Sequence, residues 1–101
     1  MKCEWATTTN QKMLGLMFRK EIERPLVLVL DNETQIGASI HMCFMRFPID
    51  AVFLDSERKV VDKTTLKPWA LNYTPKKPAK YVVEMAAGTA KFKTGQKLAL
   101  E

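Results

Sequence analysis

Three carboxylates stand among apolar, strand-forming residues of this 101-residue chain, namely Asp50, Asp62 and Glu84. Glu84 follows Val82 and Val83, and desolvation there would raise its pKa, as a general acid requires. Asp50 with Glu84 is therefore the candidate pair for a small hydrolase or lyase. The alternative is that Glu84 is the solvent-facing residue of a half-exposed strand, because the sequence alone carries no distance between these groups.

A second arrangement joins Arg19, which follows an apolar helical segment, to Asp50, which follows Pro48. A guanidinium group can hold a carboxylate through two parallel hydrogen bonds, so we expect these side chains to meet. The pair would be either the floor of a shallow cleft or a structural clamp at the proline bend. The other residues expected to edge the cleft are His41, Met45, Trp69 and Glu84. This arrangement favours a non-enzymatic binding or accessory domain for a small anionic or polar ligand, or for a partner's peptide.

Thiol and metal chemistry are disfavoured by the few residues available for them. His41 and Cys43 would stand about 6–7 Å apart on one face of a strand, too far for a thiolate–imidazole hydrogen bond. A core histidine bonded to a backbone carbonyl is the alternative, and Cys43 is expected to be a buried thiol. Cys3 is the other cysteine and His41 the one histidine, so a local zinc site cannot be assembled. We expect no metal and no cofactor.

A lysine-rich stretch is the candidate nucleic-acid surface. Its lysines are interleaved with Trp69, Tyr73 and Tyr81, a composition able to contact phosphates and stack bases. The lysines concerned are Lys67, Lys76, Lys77 and Lys80. The formal charge of +5 would favour anionic partners. The alternative is a solvated loop, because the chain carries no RNP, KH or zinc-finger signature.

The elements that must position these side chains are short strands. Apolar or alternating runs predict strands at residues 2–7, 25–30, 39–45, 51–54, 59–66, 81–88 and 97–100. The second run, PLVLVL, lacks polar alternation and is expected to be central and covered on both faces. Pro48 cannot donate a ladder hydrogen bond, which predicts a bend there. The polar residues 55–58 are of hairpin length, so the strands that flank them should pair.

One short helix is predicted behind the first strand. Side-chain oxygens of residues 7–10 can cap it. The apolar residues that recur at helical spacing are Met13, Leu14, Leu16 and Met17. Gly15 would lie inside this helix and pack its backbone closely against a neighbour.

Together these elements predict a mainly β fold, an antiparallel β-sandwich or small barrel-like domain with one short N-terminal helix, and an α+β roll is the alternative. The length and the 47% hydrophobic content predict a single globular domain over residues 1–101. No apolar run reaches the length of a membrane span or a leader peptide, so a soluble, cytoplasmic protein is expected. The oligomeric state, monomer or homodimer, stays open.

Three segments together resemble the bacterial and archaeal family called domain of unknown function 192. They are GLMFR at residues 15–19, HMCFMRFPIDAVFLD from His41, and VVEMAAG ending at Gly88. His41 stands where the family has an aromatic residue, and residues 43–45 replace its Lys-Asn-Thr triplet. The resemblance implies a compact, mainly β, sandwich-like domain, and it implies no established activity.

Overall fold

Five strands and one short α-helix form the framework of the part of this chain that the structure describes. The computed structural model describes residues 1–17 and 19–101, and the side chains of these residues other than Met13. Phe18 of the GLMFR segment and the Met13 side chain therefore lie outside the description. The elements in chain order are β1 (Glu4–Ala6), α1 (Thr9–Leu14), β2 (Leu26–Thr34), a 3₁₀ turn (Ile36–Ala38), β3 (Ile49–Leu54), β4 (Val60–Leu66) and β5 (Ala79–Ala86).

The strands build one mixed sheet in the order β1-β2-β5-β3-β4. β1 runs parallel to β2, and the β2–β5, β5–β3 and β3–β4 pairings are antiparallel. The prediction of a mainly β fold with one short N-terminal helix is confirmed, and so is the hairpin around residues 55–58. Asp55 shapes that hairpin, because its Oδ1 accepts hydrogen bonds from the backbone N–H groups of Glu57 and Lys59.

Both faces of the sheet are covered, as the unbroken apolar run of β2 predicts. The first face carries Leu28, Phe53 and Val82, and the second face carries Val27, Val52 and Val83. The buried side chains that cover the first face include Leu16, Ile40, Met42 and Met45. Leu98 and Leu100 cover the second face. Burying each side chain of this kind contributes about 1.5–3 kcal/mol, so the two layers dominate the stability of the fold.

The predicted strand at residues 39–45 is wrong. Ile40 forms an isolated bridge with Tyr73, Met42 exchanges backbone hydrogen bonds with Trp69 and Ala70, and Phe44 has a positive φ of 63°. The backbone N–H of Met45 donates to the carbonyl of Met42, which makes a turn. The physical reason is that Met42 and Met45 are both buried three positions apart, a spacing that a strand cannot place on one face.

The predicted closing strand at residues 97–100 is also absent, since Lys97 makes only an isolated bridge with Lys59. The segment packs Leu98 and Leu100 against the second face without joining the sheet.

Gly15 ends α1 instead of lying within it. Thr8 and Gln11 form a capping box at the start of the helix, and Gly15 follows its last residue with φ 50°. A positive φ favours glycine, which accounts for the glycine better than close packing does. The backbone beyond Gly15 is therefore redirected, so that Leu16 turns onto the first face of the sheet.

Candidate functional site

A cleft of about 570 Å³ opens over the first face of the sheet. α1 and residues 14–17 form one wall, and residues 37–42 form the other. The side chains at its base are Leu28 of β2, Ile49 of β3, and Val82 and Glu84 of β5. The cleft exists because the helix end and the loop are separate coverings of one sheet face, and they leave a gap between them.

Glu84 is the carboxyl group in the base of this cleft. It is 7% exposed and lies in register between Leu26 of β2 and Ala51 of β3. No described residue donates a hydrogen bond or forms an ion pair with its carboxyl group. The described residues contain no wholly inaccessible, unbonded side-chain oxygen, so the carboxyl group keeps contact with the cleft. Because Glu84 is buried in the base of the cleft, the alternative that it is the solvent-facing residue of a half-exposed strand is wrong.

Burial raises the pKa of Glu84 to about 7, and the positive charge of Arg19 partly offsets that rise. The Arg19 charge acts from nearby because Arg19 is bonded to Glu4, which shares the first face with Glu84 across Leu26. The Glu84 Oε1 atom lies 3.7 Å from the position that a Cβ at Gly15 would occupy. The helix end therefore borders the carboxyl group without a side chain between them.

Asp50 lies on the opposite face from Glu84. Ala51 is the residue paired with Glu84, and neighbouring residues of a strand point to opposite sides. The Asp50 carboxylate accepts hydrogen bonds from the Thr65 hydroxyl at 2.6 Å and from two backbone N–H groups, of Gly88 at 2.9 Å and Ala90 at 3.0 Å. Asp50 therefore fixes the turn after β5, and the predicted acid–base pair of Asp50 with Glu84 is not assembled.

The predicted ion pair between Arg19 and Asp50 is not formed either. Arg19 Nη1 lies 2.8 Å from Glu4 Oε2, and both side chains are more than a third exposed. Arg19 instead lines a second, smaller depression whose other residues carry both signs of charge. It reaches the cleft through its electric field and not by contact.

Asp62 is a third buried carboxylate, and it is fully engaged. It accepts hydrogen bonds from the Tyr73 hydroxyl at 2.6 Å and from the backbone N–H groups of Lys63 and Lys76. Desolvation and this carboxylate raise the pKa of Tyr73 to about 12. Asp62 thus ties the loop after β4 to the sheet, and the sequence indicated no partner for it because Tyr73 lies in a stretch without regular period.

The other residues that the sequence predicted at the edge of the cleft lie in three different places. His41 is exposed at the mouth, where its Nδ1 accepts a hydrogen bond from the backbone N–H of Cys43 at 3.2 Å. Met45 is buried and lines the cleft. Trp69 is 56% exposed, does not line the cleft, and packs its ring edge-on against Phe44. Cys43 is half-buried instead of buried.

The lysine stretch is a partly engaged surface. Lys67, Lys76 and Lys77 are exposed, whereas Lys80 is half-buried and its Nζ donates to the carbonyl oxygen of Asp31 at 3.0 Å. Within the described part of the chain, no three histidine, cysteine or acidic side chains converge as metal ligands would.

Lys12 is a cleft residue that the sequence did not single out. Its Nζ lies 3.6 Å from Asp31 Oδ1, so opposite charges meet at the mouth. The helical position of Lys12 was visible in the sequence, but nothing there indicated that β2 would extend far enough to bring Asp31 beside it.

Comparison with known proteins identifies the family. The DUF192 family model, described as an uncharacterised ACR, matches residues 1–100. The chain belongs to the DUF192 family. A UPF0127 protein of Pyrococcus furiosus is 54% identical over 88 residues, which cover 87% of this chain and 74% of that protein. A UPF0127 protein of Thermococcus kodakarensis is 48% identical over 86% of this chain and 55% of its own length, so the chain spans little more than half of that relative.

A solved structure supports the architecture of this DUF192 chain. A protein of unknown function from Novosphingobium aromaticivorans superposes with a TM-score of 0.86 at 25% identity, covering 94% of this chain and 71% of that one. None of the described helices is long and apolar enough to cross a membrane.

The sequence predicted that Asp50 and Glu84 act as a pair, but in this DUF192 domain the two carboxyl groups lie on opposite faces of the sheet and differ in their surroundings. The second face holds a carboxylate whose hydrogen bonds are satisfied within the protein, and the first face holds one that is buried yet open to a cleft. The cleft joins an apolar base to a limited number of polar side chains, which is the usual form of a small-ligand site.

Proposed function

We propose that this chain is a non-enzymatic binding domain whose cleft takes a largely apolar molecule, or an apolar side chain of a partner peptide, through one polar group. The observation that carries the proposal is the buried carboxyl group of Glu84, which has no donor among the described residues and lies in the apolar base of a 570 Å³ cleft. Buried polar groups in folded proteins are almost always hydrogen-bonded, and this carboxyl group opens to the cleft, so water or a ligand there can supply its donors.

Catalysis is disfavoured because a second titratable group does not converge on Glu84 among the described residues. Acid–base chemistry needs two groups within reach of one substrate. The Asp50 carboxylate is on the other face of the sheet, and Lys12 and His41 stand at the mouth of the cleft. A single buried acid in the apolar base of a cleft suits recognition of a ligand better than its conversion.

Nucleic-acid contact through the lysine stretch is the weaker alternative. The Lys80 ammonium group is already bonded to a backbone carbonyl, and the Trp69 ring is held against Phe44. Both contacts reduce the freedom of these side chains to meet phosphates and bases. A single-stranded oligonucleotide should therefore leave the amide spectrum of the protein unchanged at moderate salt.

The cleft is tested by nuclear magnetic resonance with 1-hexanol as the probe. Titration should shift the backbone amide signals of Gly15, Ile40 and Val82, which border the cleft, and leave that of Ala90 on the second face unchanged. Shifts confined to the surroundings of Trp69, or no shift at all, would show that the cleft is not a binding site.

Two tryptophan substitutions on β2 give a matched control. Leu30 lines the cleft, and its neighbour Val29 packs on the second face, and both side chains are half-buried. Leu30→Trp should fill the cleft and abolish the hexanol shifts, whereas Val29→Trp should retain them. Equal binding by both folded variants would contradict the proposed location.

A further inference from the structure

We infer that the cleft selects ligands that carry a protonated amine on an apolar body, and that the ammonium N–H groups bind the Glu84 carboxylate. The inference rests on the proposed function and names its ligand class. Its basis is the geometry of the cleft, where one acidic group in the base has no donor from the described residues and the side chains beside it, Leu28, Ile49 and Val82, are apolar.

An ammonium group supplies what Glu84 lacks. A buried carboxylate is unfavourable unless it has both an opposite charge and hydrogen-bond donors. An alkylammonium ion offers one positive charge and three N–H donors in a compact group. A neutral alcohol offers a single donor and no charge, and a carboxylate ligand offers a charge of the wrong sign.

The other charged groups around Glu84 are already engaged or stand at the mouth of the cleft. Arg19 is bonded to Glu4 of β1, and Lys12 of α1 is paired with Asp31 of β2. The loop that forms the other wall contributes His41, whose ring nitrogen is held by a backbone N–H. β3 places Ala51, which carries no charge, opposite Glu84. A ligand ammonium would therefore be the direct ionic partner of this carboxylate.

The apolar body of the ligand would lie along the walls. Leu16, Met17 and Met42 border the cleft, and flexible methionine side chains adapt to apolar groups of varied shape. Leu14 also borders the cleft and is 52% exposed, so it adds an apolar contact near the charged pair of Lys12 and Asp31. A chain of several methylene groups therefore finds apolar contacts from the entrance to Glu84.

The inference predicts a pH-dependent preference. An ammonium ion is bound by the ionised carboxylate, so its affinity should rise as Glu84 loses its proton and should be full at pH 8. The affinity of 1-hexanol should change little over the same range. Lys12, Asp31 and His41 at the mouth also act on the ammonium charge, so the pH dependence of hexylammonium binding is compared with that of Glu84→Gln, which keeps these three groups.

Three probes with the same apolar chain test this, namely hexylammonium, 1-hexanol and hexanoate, titrated at pH 8 by nuclear magnetic resonance. Hexylammonium should bind about tenfold more tightly than 1-hexanol, because it brings an opposite charge and three N–H donors to the carboxylate, whereas the alcohol brings one neutral donor. Hexanoate should bind most weakly. Glu84→Gln should reduce hexylammonium binding to the level of 1-hexanol and leave 1-hexanol binding within about twofold of its original value.

Glu57→Gln is the charge-matched control, because Glu57 is an exposed carboxylate in the β3–β4 turn. This variant should keep the preference for hexylammonium over 1-hexanol. If Glu57→Gln lost that preference, the preference would be an effect of net charge and the inference would be overturned. Equal binding of hexylammonium and 1-hexanol to the unaltered protein would overturn the inference and leave the proposed function standing. Failure of all three probes to bind would overturn both.

Discussion

The burial of Glu84 makes the stability of the fold depend on pH in a direction that can be worked out. Its pKa is raised by burial from the ordinary 4.5 to about 7 in the folded protein. Below about pH 4.5 the group is protonated in both the folded and the unfolded chain, so it does not affect unfolding. Between 4.5 and 7 the unfolded chain loses the proton first, so the free energy of unfolding falls as the pH rises.

The size of this effect follows from the same two values. A rise of about 2.5 in pKa corresponds to about 3 kcal/mol, because each pKa unit is worth about 1.36 kcal/mol. Glu84→Gln removes the ionisation and keeps the shape of the side chain. The free energy of unfolding of the variant, relative to the unaltered protein, should therefore increase by about 3 kcal/mol between pH 4.5 and pH 8.

Urea unfolding at several pH values, followed by tryptophan fluorescence, measures this difference. The quantity to compare is how the difference in free energy of unfolding between Glu84→Gln and the unaltered protein changes with pH. The size of that difference at a single pH is not used, because the glutamine amide introduces its own unpaired donors. Glu57→Gln serves as the control, and its difference from the unaltered protein should stay constant with pH. If the difference in free energy of unfolding between Glu84→Gln and the unaltered protein is the same at pH 5 and pH 8, the assignment of Glu84 as a buried, unpaired carboxyl group is refuted.

Two further substitutions test the structural roles assigned to the site residues. Asp50→Ala removes the acceptor of three hydrogen bonds and should lower the free energy of unfolding by about 3 kcal/mol, while binding of 1-hexanol is retained. Asp55→Ala, in a more exposed turn, should lower it by about 1 kcal/mol. Urea unfolding and hexanol titration measure these effects, and loss of hexanol binding in a folded Asp50→Ala protein would contradict a purely structural role for Asp50. Gly15→Ala should lower the free energy of unfolding by about 1–2 kcal/mol, because the φ of 50° is unfavourable for alanine although a Cβ would meet only an ordinary contact. An unchanged midpoint of urea unfolding would show that the helix ends differently.

The strands were predictable where burial on both faces leaves its mark on the sequence. β2, β3, β4 and β5 are apolar or alternating, and their positions follow from that pattern. Residues 39–45 show an equally apolar pattern but form a loop. An apolar loop laid across a sheet face and an apolar strand cannot be distinguished by hydrophobicity, because the loop also buries apolar side chains, here Ile40, Met42 and Met45.

The candidate site was only partly predictable for a related reason. Local surroundings indicate the raised pKa of Glu84, since two valines, Val82 and Val83, precede it. Which carboxylates share a face depends on the register between strands, and a shift of one residue would have placed Asp50 opposite Glu84. The partner of Arg19 was equally hidden, because the parallel pairing of β1 with β2 brings Glu4 onto the first face.

Asp50 and Glu84 are buried to almost the same degree, at 5% and 7% exposure, so burial alone does not separate their roles. The difference lies in their donors. Asp50 has three, and its burial therefore stabilises a turn, whereas Glu84 has none from the described residues and its ionisation opposes folding. A ligand that supplies donors to Glu84 binds the folded chain alone, so it should recover part of that lost stability by mass action. The same carboxyl group thus links the pH dependence of folding to recognition in the cleft.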